Sequence, residues 1–105
     1  MFWLLPLIIL TAQVTAYNPV EAQCDSTPCI TASGYNLCEA LDRGELICAY
    51  NQVSLGTIIY IEDLGFCRVE DRTSRKYQNR IDIAMKGYDD AVRWGIRNKK
   101  VYILN

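Results

Sequence analysis

The chain has 105 residues, half of them hydrophobic, with eleven Lys or Arg, twelve Asp or Glu and no histidine. This length supports one compact domain with a small core. The balanced charge excludes a one-sided field that would attract nucleic acid or an anionic membrane. Without histidine, acid–base chemistry must come from carboxylates, tyrosines or cysteines, and the commonest metal ligand is missing.

The N-terminus carries an apolar run, FWLLPLIIL, over residues 2–10. About ten such residues are too few to cross a bilayer, but they are typical of a secretion signal. However, no Lys or Arg precedes the run, and cleavage after Ala16 would remove residues that read as a strand. We predict a signal or anchor segment over residues 1–11, cleaved or retained. The alternative is a buried N-terminal strand.

The rest of the chain, residues 12–105, is predicted to form one domain. Asn, Pro, Ser, Thr and Gly dominate residues 18–37, which indicates a long loop. A helix is expected from Asp89 to Arg97, with acidic residues in its first turn and basic residues near its end. Alternation and β-branched or aromatic content predict strands at 11–17, 45–50, 57–61, 66–70, 80–85 and 101–104. Six short strands favour a closed barrel over a doubly wound sheet.

Five cysteines are many for a chain of this size: Cys24, Cys29, Cys38, Cys48 and Cys67. This richness indicates disulfides and an oxidising compartment, with buried free thiols as the alternative. A zinc site would need C-x-x-C pairs, which the sequence lacks, so we expect no metal. Pairing among Cys24, Cys29 and Cys38 is the simplest arrangement. The odd number leaves at least one thiol free or bonded outside the chain.

Two carboxylates stand out, Asp71 in VEDRTS and Asp82 in NRIDIAM. Alternation along a strand points Asp82 away from Ile81 and Ile83, and Asp71 ends the preceding strand, so both acids could meet at one rim of a barrel. A structural explanation is also open. Asp82 could pair with Arg80 on the same face, and Asp71 could cap a loop together with Arg72.

The surrounding segments resemble a known family. They are YNP at 17–19, TASG at 31–34, LGT at 55–57, VEDR at 69–72, NRIDI at 79–83, DAVRWG at 90–95 and VYIL at 101–104. In this order they look like the 3D (three-aspartate) domain, over residues 12–104. That family is similar to RlpA and barwin-like double-psi barrels and to the barrel domain of membrane-bound lytic transglycosylase A. The resemblance implies a mainly β fold, a six-stranded double-psi β-barrel with one short helix.

The resemblance also implies roles for residues. Asp71 and Asp82 match the second and third family aspartates, with Asp82 as acid/base and Asp71 as its charged neighbour. Asn51 stands in place of the first aspartate, or Ala49 does if no gap is allowed, so one acid is absent. Asn51 is expected to bind substrate. Three residues of the TASG loop are further substrate-binding candidates: Thr31, Ser33 and Gly34. The alternative is that this loop is a plain polar turn.

The activity implied is non-hydrolytic cleavage of the MurNAc–GlcNAc bond of peptidoglycan, as in lytic transglycosylases, in cell-wall turnover. The partners implied are glycan strands, with no cofactor, no metal, no nucleic acid and membrane contact only through an uncleaved N-terminal segment. The protein is expected to be an exported monomer, in the periplasm, cell wall or outside the cell. The substitution at Asn51 favours the alternative, a non-catalytic glycan-binding module on the same barrel. A secreted factor acting on other bacteria and a cytosolic domain are weaker alternatives.

Overall fold

The computed structural model describes residues 7–19 and 29–104. They form six strands and two short helices: β1 (Leu7–Tyr17), α1 (Leu37–Asp42), β2 (Ile47–Ala49), β3 (Ile58–Ile61), β4 (Gly65–Asp71), β5 (Arg80–Ala84), α2 (Tyr88–Trp94) and β6 (Arg97–Leu104). The strands close a barrel in the order β1-β5-β2-β4-β3-β6. The β1–β5 and β2–β4 pairs are parallel, and the other pairs are antiparallel. The predicted mainly β, six-stranded barrel is confirmed.

The barrel interior is filled by alternate residues of the strands. On β5, Ile81 and Ile83 are fully buried while Arg80 and Asp82 face outward and remain partly exposed. The same period-two pattern buries Val14 on β1. The interior cluster consists of Ala12, Val14, Cys48, Tyr50, Ile59, Ile61, Cys67, Val69, Ile81, Ile83, Val101 and Ile103. Asp82 therefore lies on the outer wall, as its alternation predicted.

The predicted helix forms as α2, and a second short helix, α1, forms in addition. α1 is only six residues long and follows a loop-like sequence. It is too short to show the helical periodicity of hydrophobic residues from which helices are predicted. Its local signal is the Asn36 side chain, which caps the helix by accepting the Glu39 N–H at 3.0 Å. α1 packs outside the barrel in a second small cluster with Ile47 and Ala84.

Several boundaries also differ from the prediction. β1 begins at Leu7, so residues 7–11, which were assigned to the signal or anchor segment, belong to the barrel and pair with β6. Residues 1–6 lie outside the described part, and the processing of this segment stays a prediction. α2 ends at Trp94 rather than Arg97, because Gly95 takes φ 65° and β6 starts at Arg97.

Two disulfides link parts of the fold within the described residues. Cys48–Cys67 joins the neighbouring strands β2 and β4 inside the barrel, and Cys29–Cys38 joins the loop before α1 to the helix. The pairing of Cys29 with Cys38 is among those the sequence suggested. Cys24 lies outside the described residues.

Candidate functional site

The site is organised by a β-bulge between β2 and β4. Cys48 pairs with Val69, but the next residue of β2, Ala49, pairs with Asp71, so Glu70 is the extra residue of β4. A bulge of this kind re-aims the side chains that follow it, which is why bulges recur beside functional sites. On the other side of β2, Ala49 pairs with Asp82 of β5. The two predicted acids thus lie opposite one buried alanine, on either side of it.

Asp82 occupies a half-buried position on the outer wall. Thr15, its pairing partner on β1, donates its hydroxyl to Asp82 Oδ1 at 3.0 Å. Burial raises the pKa of Asp82 above its ordinary value, and the negative charge of Asp71 acts in the same direction. The Thr15 hydrogen bond and the positive charge of Arg80 lower that pKa, but the upward effects prevail. Asp82 is therefore the carboxyl of the pair that favours the protonated form.

Arg80 does not form the salt bridge with Asp82 that the sequence left open. Its guanidinium donates to Gln13 Oε1 from Nε at 3.3 Å and from Nη2 at 3.1 Å. The same group lies 3.7 Å from the centroid of the Tyr77 ring. Arg80 is thus held along the strand, and among the described residues the only hydrogen bond to the Asp82 carboxyl comes from Thr15.

Asp71 is held by backbone donors. Its Oδ1 accepts the N–H of Ala32 at 3.0 Å and that of Arg72 at 2.9 Å. These two bonds fix the position of the Asp71 carboxyl beside the turn that contains Ala32. The loop-capping interaction with Arg72 does exist, and it leaves Oδ2 without a partner among the described residues.

The TASG turn is fixed against this end of β4. The hydroxyls of Thr31 and Ser33 lie 2.9 Å apart, and Gly34 takes φ 83°, which a glycine adopts at little cost. Ser33 N–H donates to the carbonyl of Glu70 at 3.2 Å. Together with the Ala32 contact to Asp71, these bonds bring the predicted loop residues beside the acids. Thr31 itself is buried, whereas Ser33 and Gly34 are exposed.

Asn51 is occupied by the loop that follows β4. Its Oδ1 accepts the N–H of Thr73 at 2.9 Å, and its Nδ2 donates to the carbonyl of Ser74 at 3.1 Å. Both polar atoms of the Asn51 amide are therefore used to hold this loop. Asn51 lies two residues beyond Ala49, where β2 ends.

Sequence reasoning missed two contributors to the site. Thr15 is joined to Asp82 across 67 residues, and only the parallel pairing of β1 with β5 reveals this. The contribution of Ala32 is its backbone N–H, so the identity of its side chain could not predict the contact with Asp71. Within residues 7–19 and 29–104, no group of three or more His, Cys, Asp or Glu is arranged to hold a metal ion. No helix in those ranges has the length and hydrophobicity to span a membrane.

Two curated relatives resemble this chain, although no family model matches it. The "Putative cell wall shaping protein YabE" of Bacillus subtilis (strain 168) is 30% identical over 97 residues, which cover 92% of this chain and 23% of YabE. The "Cell wall-binding protein YocH" of the same organism is 27% identical over 96 residues, 91% of this chain and 32% of YocH. This chain thus spans less than a third of either relative. The resemblance to the 3D domain itself stays a prediction.

Proposed function

We propose that this barrel is an exported cell-wall protein that cleaves peptidoglycan as a lytic transglycosylase. The observation that carries the proposal is the Asp82 carboxyl, whose pKa is raised by burial and by Asp71 and which has no ion-pair partner among residues 7–19 and 29–104. A raised pKa favours the protonated form from which a general acid must start. The names of the two relatives support the cell wall as the place of action. The two disulfides support export.

The proposed reaction uses one carboxyl twice. Protonated Asp82 gives its proton to the glycosidic oxygen as the bond from that oxygen to C1 of MurNAc breaks. The positive charge that develops at C1 is stabilised by ionised Asp71. The 6-hydroxyl oxygen of the same MurNAc then attacks C1 and passes its proton to the Asp82 carboxylate. The products are a 1,6-anhydro sugar and a free GlcNAc end, Asp82 is again protonated, and no water is consumed.

The remaining groups are assigned to substrate binding. Ser33 and Gly34 present an exposed polar turn beside Asp71, and Thr31 holds that turn through its hydroxyl. Asn51 fixes the loop after β4, and it can bring no charge to the site. If a third acid contributes only electrostatic stabilisation, its absence costs on the order of 1–3 kcal/mol, roughly ten- to a hundred-fold in rate.

The second candidate is a glycan-binding module without turnover. Two observations favour it: the amide at Asn51 and the printed name of YocH, a cell wall-binding protein. On this alternative the same turn and acids contact glycan strands, but Asp82 transfers no proton.

Incubation of the folded protein with purified sacculi tests the two candidates. We expect soluble 1,6-anhydro-muropeptides in the mass spectrum, lost in Asp82→Asn and strongly reduced in Asp71→Asn. Asp89→Asn is the matched control, because Asp89 is an exposed aspartate in the first turn of α2. Co-sedimentation with sacculi without any anhydro product, in all variants alike, would overturn the enzyme in favour of the binding module.

A further inference from the structure

A cavity opens at the end of the barrel where β1 and β5 begin and where β2 and β4 end. Its volume is about 770 Å³. Neither Asp71 nor Asp82 lines it, so it is separate from the paired acids. The mouths of β-barrels are among the places where small molecules commonly bind, and this volume lies within the usual range of such sites.

The cavity combines an apolar floor with a polar rim. Leu10 and Ile103 line it from inside the barrel, and Val53 lines it from the loop after β2. The polar rim includes Asn51 and Asn79. Arg72 is the one charged residue among the described residues that line the cavity, and no carboxylate faces it there. The cavity therefore favours a ligand that carries an anionic group and a small apolar part.

Arg72 is held in place for such a ligand. Its Nη1 donates to the carbonyls of Tyr50 and Val53, at 2.6 Å each. These bonds fix the plane of the guanidinium but provide no negative charge. Nε and Nη2 have no acceptor among the described residues. A planar guanidinium with two free donors matches the geometry of a carboxylate.

The other arginines with described side-chain partners differ from Arg72. Each either pairs with a carboxylate or lies on an aromatic ring: Arg43, Arg68, Arg93, Arg80 and Arg97. Arg72 alone in the described chain is bound by backbone carbonyls at a cavity. Because its side-chain position is fixed before any ligand arrives, less conformational entropy is lost on binding.

We propose that this cavity binds the free carboxylate and short aliphatic side chain of a peptide terminus. Arg72 takes the carboxylate, and the floor of Leu10, Val53 and Ile103 takes the aliphatic group. The peptide stems of peptidoglycan carry this chemistry, so the inference rests on the proposed cell-wall function for its biological ligand. The cavity would then bind the stem while the carboxyl pair faces the glycan.

The test is a titration of the ¹⁵N-labelled protein with acetyl-D-alanyl-D-alanine, followed by NMR. We expect saturable shifts at residues 50–53, 72 and 78–79. The C-terminal amide of the same dipeptide should bind at least about five-fold more weakly, because it offers Arg72 no charge. Equal binding of acid and amide, no saturable shifts, or shifts confined to the neighbourhood of Asp71 and Asp82 would overturn the proposal.

Substitutions at Gln78 probe the charge of the rim without removing the Arg72 anchors. Gln78 lines the cavity, and its Oε1 accepts from Gln52 at 3.1 Å. Gln78→Glu keeps an acceptor at this position but adds a negative charge, and it should weaken binding of the acid while leaving the amide unaffected. Gln78→Ala is the neutral control and should keep the preference for the acid. If Gln78→Glu and Gln78→Ala bind the acid equally, the electrostatic explanation is wrong.

The outcome is independent of turnover. Dipeptide binding without anhydro products would retain the cavity as a peptide site and refute catalysis. Turnover on sacculi without dipeptide binding would refute the cavity proposal alone.

Discussion

Asp71 and Asp82 flank the same residue, Ala49, because the bulge at Glu70 shifts β4 by one position against β2. Without the bulge, regular pairing would place Glu70 opposite Ala49 and Asp71 one step further along. Ala49 is small and only 3% exposed, so its side chain leaves the two carboxyls in each other's field. The geometry of the carboxyl pair thus depends on three strands. β4 and β5 carry the two acids, and β2 lies between them.

The half-buried Asp82 carboxyl should reduce stability at neutral pH. Its folded-state pKa is raised by burial, so folding favours the neutral acid, and stability is lost as the pH rises from the unfolded pKa through the folded one. Asp82→Asn should therefore melt at a higher temperature than the wild type at pH 7. The difference should shrink towards about pH 3, below the ordinary aspartate pKa. Thermal unfolding monitored by circular dichroism measures this, and an Asn variant that is less stable at pH 7 would contradict it.

The Thr15 hydroxyl should affect the pKa of Asp82. Its hydrogen bond lowers the pKa of Asp82, so Thr15→Val should raise that pKa further. NMR titration of the Asp82 carboxyl carbon measures the pKa directly. Thr15→Ser is the control, because it keeps the hydroxyl and should leave the pKa near that of the wild type. In an active enzyme, the pH–rate profile of Thr15→Val should shift to higher pH. An unchanged pKa of Asp82 in that variant would show that Thr15 does not act on the site.

Asn51→Asp places an acid at the position that the resemblance to the 3D domain assigns to the first aspartate. If turnover is limited by that missing charge, the rate on sacculi should rise on the order of ten- to a hundred-fold. The variant loses the bond from Asn51 Nδ2 to Ser74 but keeps the acceptor for Thr73 N–H. We expect a cost of about 1 kcal/mol in the free energy of unfolding. Asn98→Asp at an exposed position of β6 is the control for charge alone, and an equal rate increase there would argue against a specific role of position 51.

Glu45 should make the protein sensitive to acid. Its carboxylate accepts from the Tyr35 hydroxyl at 2.9 Å and is bound by Arg43 and Arg68, which lowers the pKa of Glu45 to about 2. A lowered carboxylate pKa stabilises the fold above about pH 4.5, and this contribution is lost as the pH falls towards 2. Glu45→Gln should thus lower the melting temperature at pH 7, with a difference that disappears near pH 2. Glu39→Gln is the control, because Glu39 makes only an exposed contact to Arg43 at 4.0 Å.

The two disulfides should differ in their contribution to stability. The Cys48–Cys67 bond spans 19 residues and the Cys29–Cys38 bond spans 9. Loop-closure entropy alone predicts about 3 and about 2.5 kcal/mol respectively. Replacing Cys48 and Cys67 by alanine also opens a void in the barrel interior, so that double variant should lose more. Urea unfolding of the two double variants measures the order, and a larger loss for the Cys29 and Cys38 variant would contradict it.

The sequence predicted the parts of the fold that depend on local patterns. Ile81 and Ile83 alternate with Asp82, and this alone placed the acid on the outer face. The bulge at Glu70 could not be predicted, because register depends on the partner strand and not on β4 itself. The bond from Thr15 to Asp82 likewise depends on a parallel pairing of distant strands. The N-cap formed by Asn36 and Glu39 is a local signal for α1. However, a helix of six residues is too short to show a hydrophobic periodicity that would support this signal.

The position of β1 in the barrel has a consequence for how the protein is made. β1 pairs along its length with β6, from Leu7 with Leu104 to Val14 with Arg97, and with β5 on its other side. The barrel therefore cannot close until its last strand has left the ribosome. Contacts between such distant residues form slowly, since a long loop must be ordered first. If the protein is exported as we propose, a nascent chain of this kind stays open long enough to cross a translocation channel, and its strands and disulfides are completed on the far side.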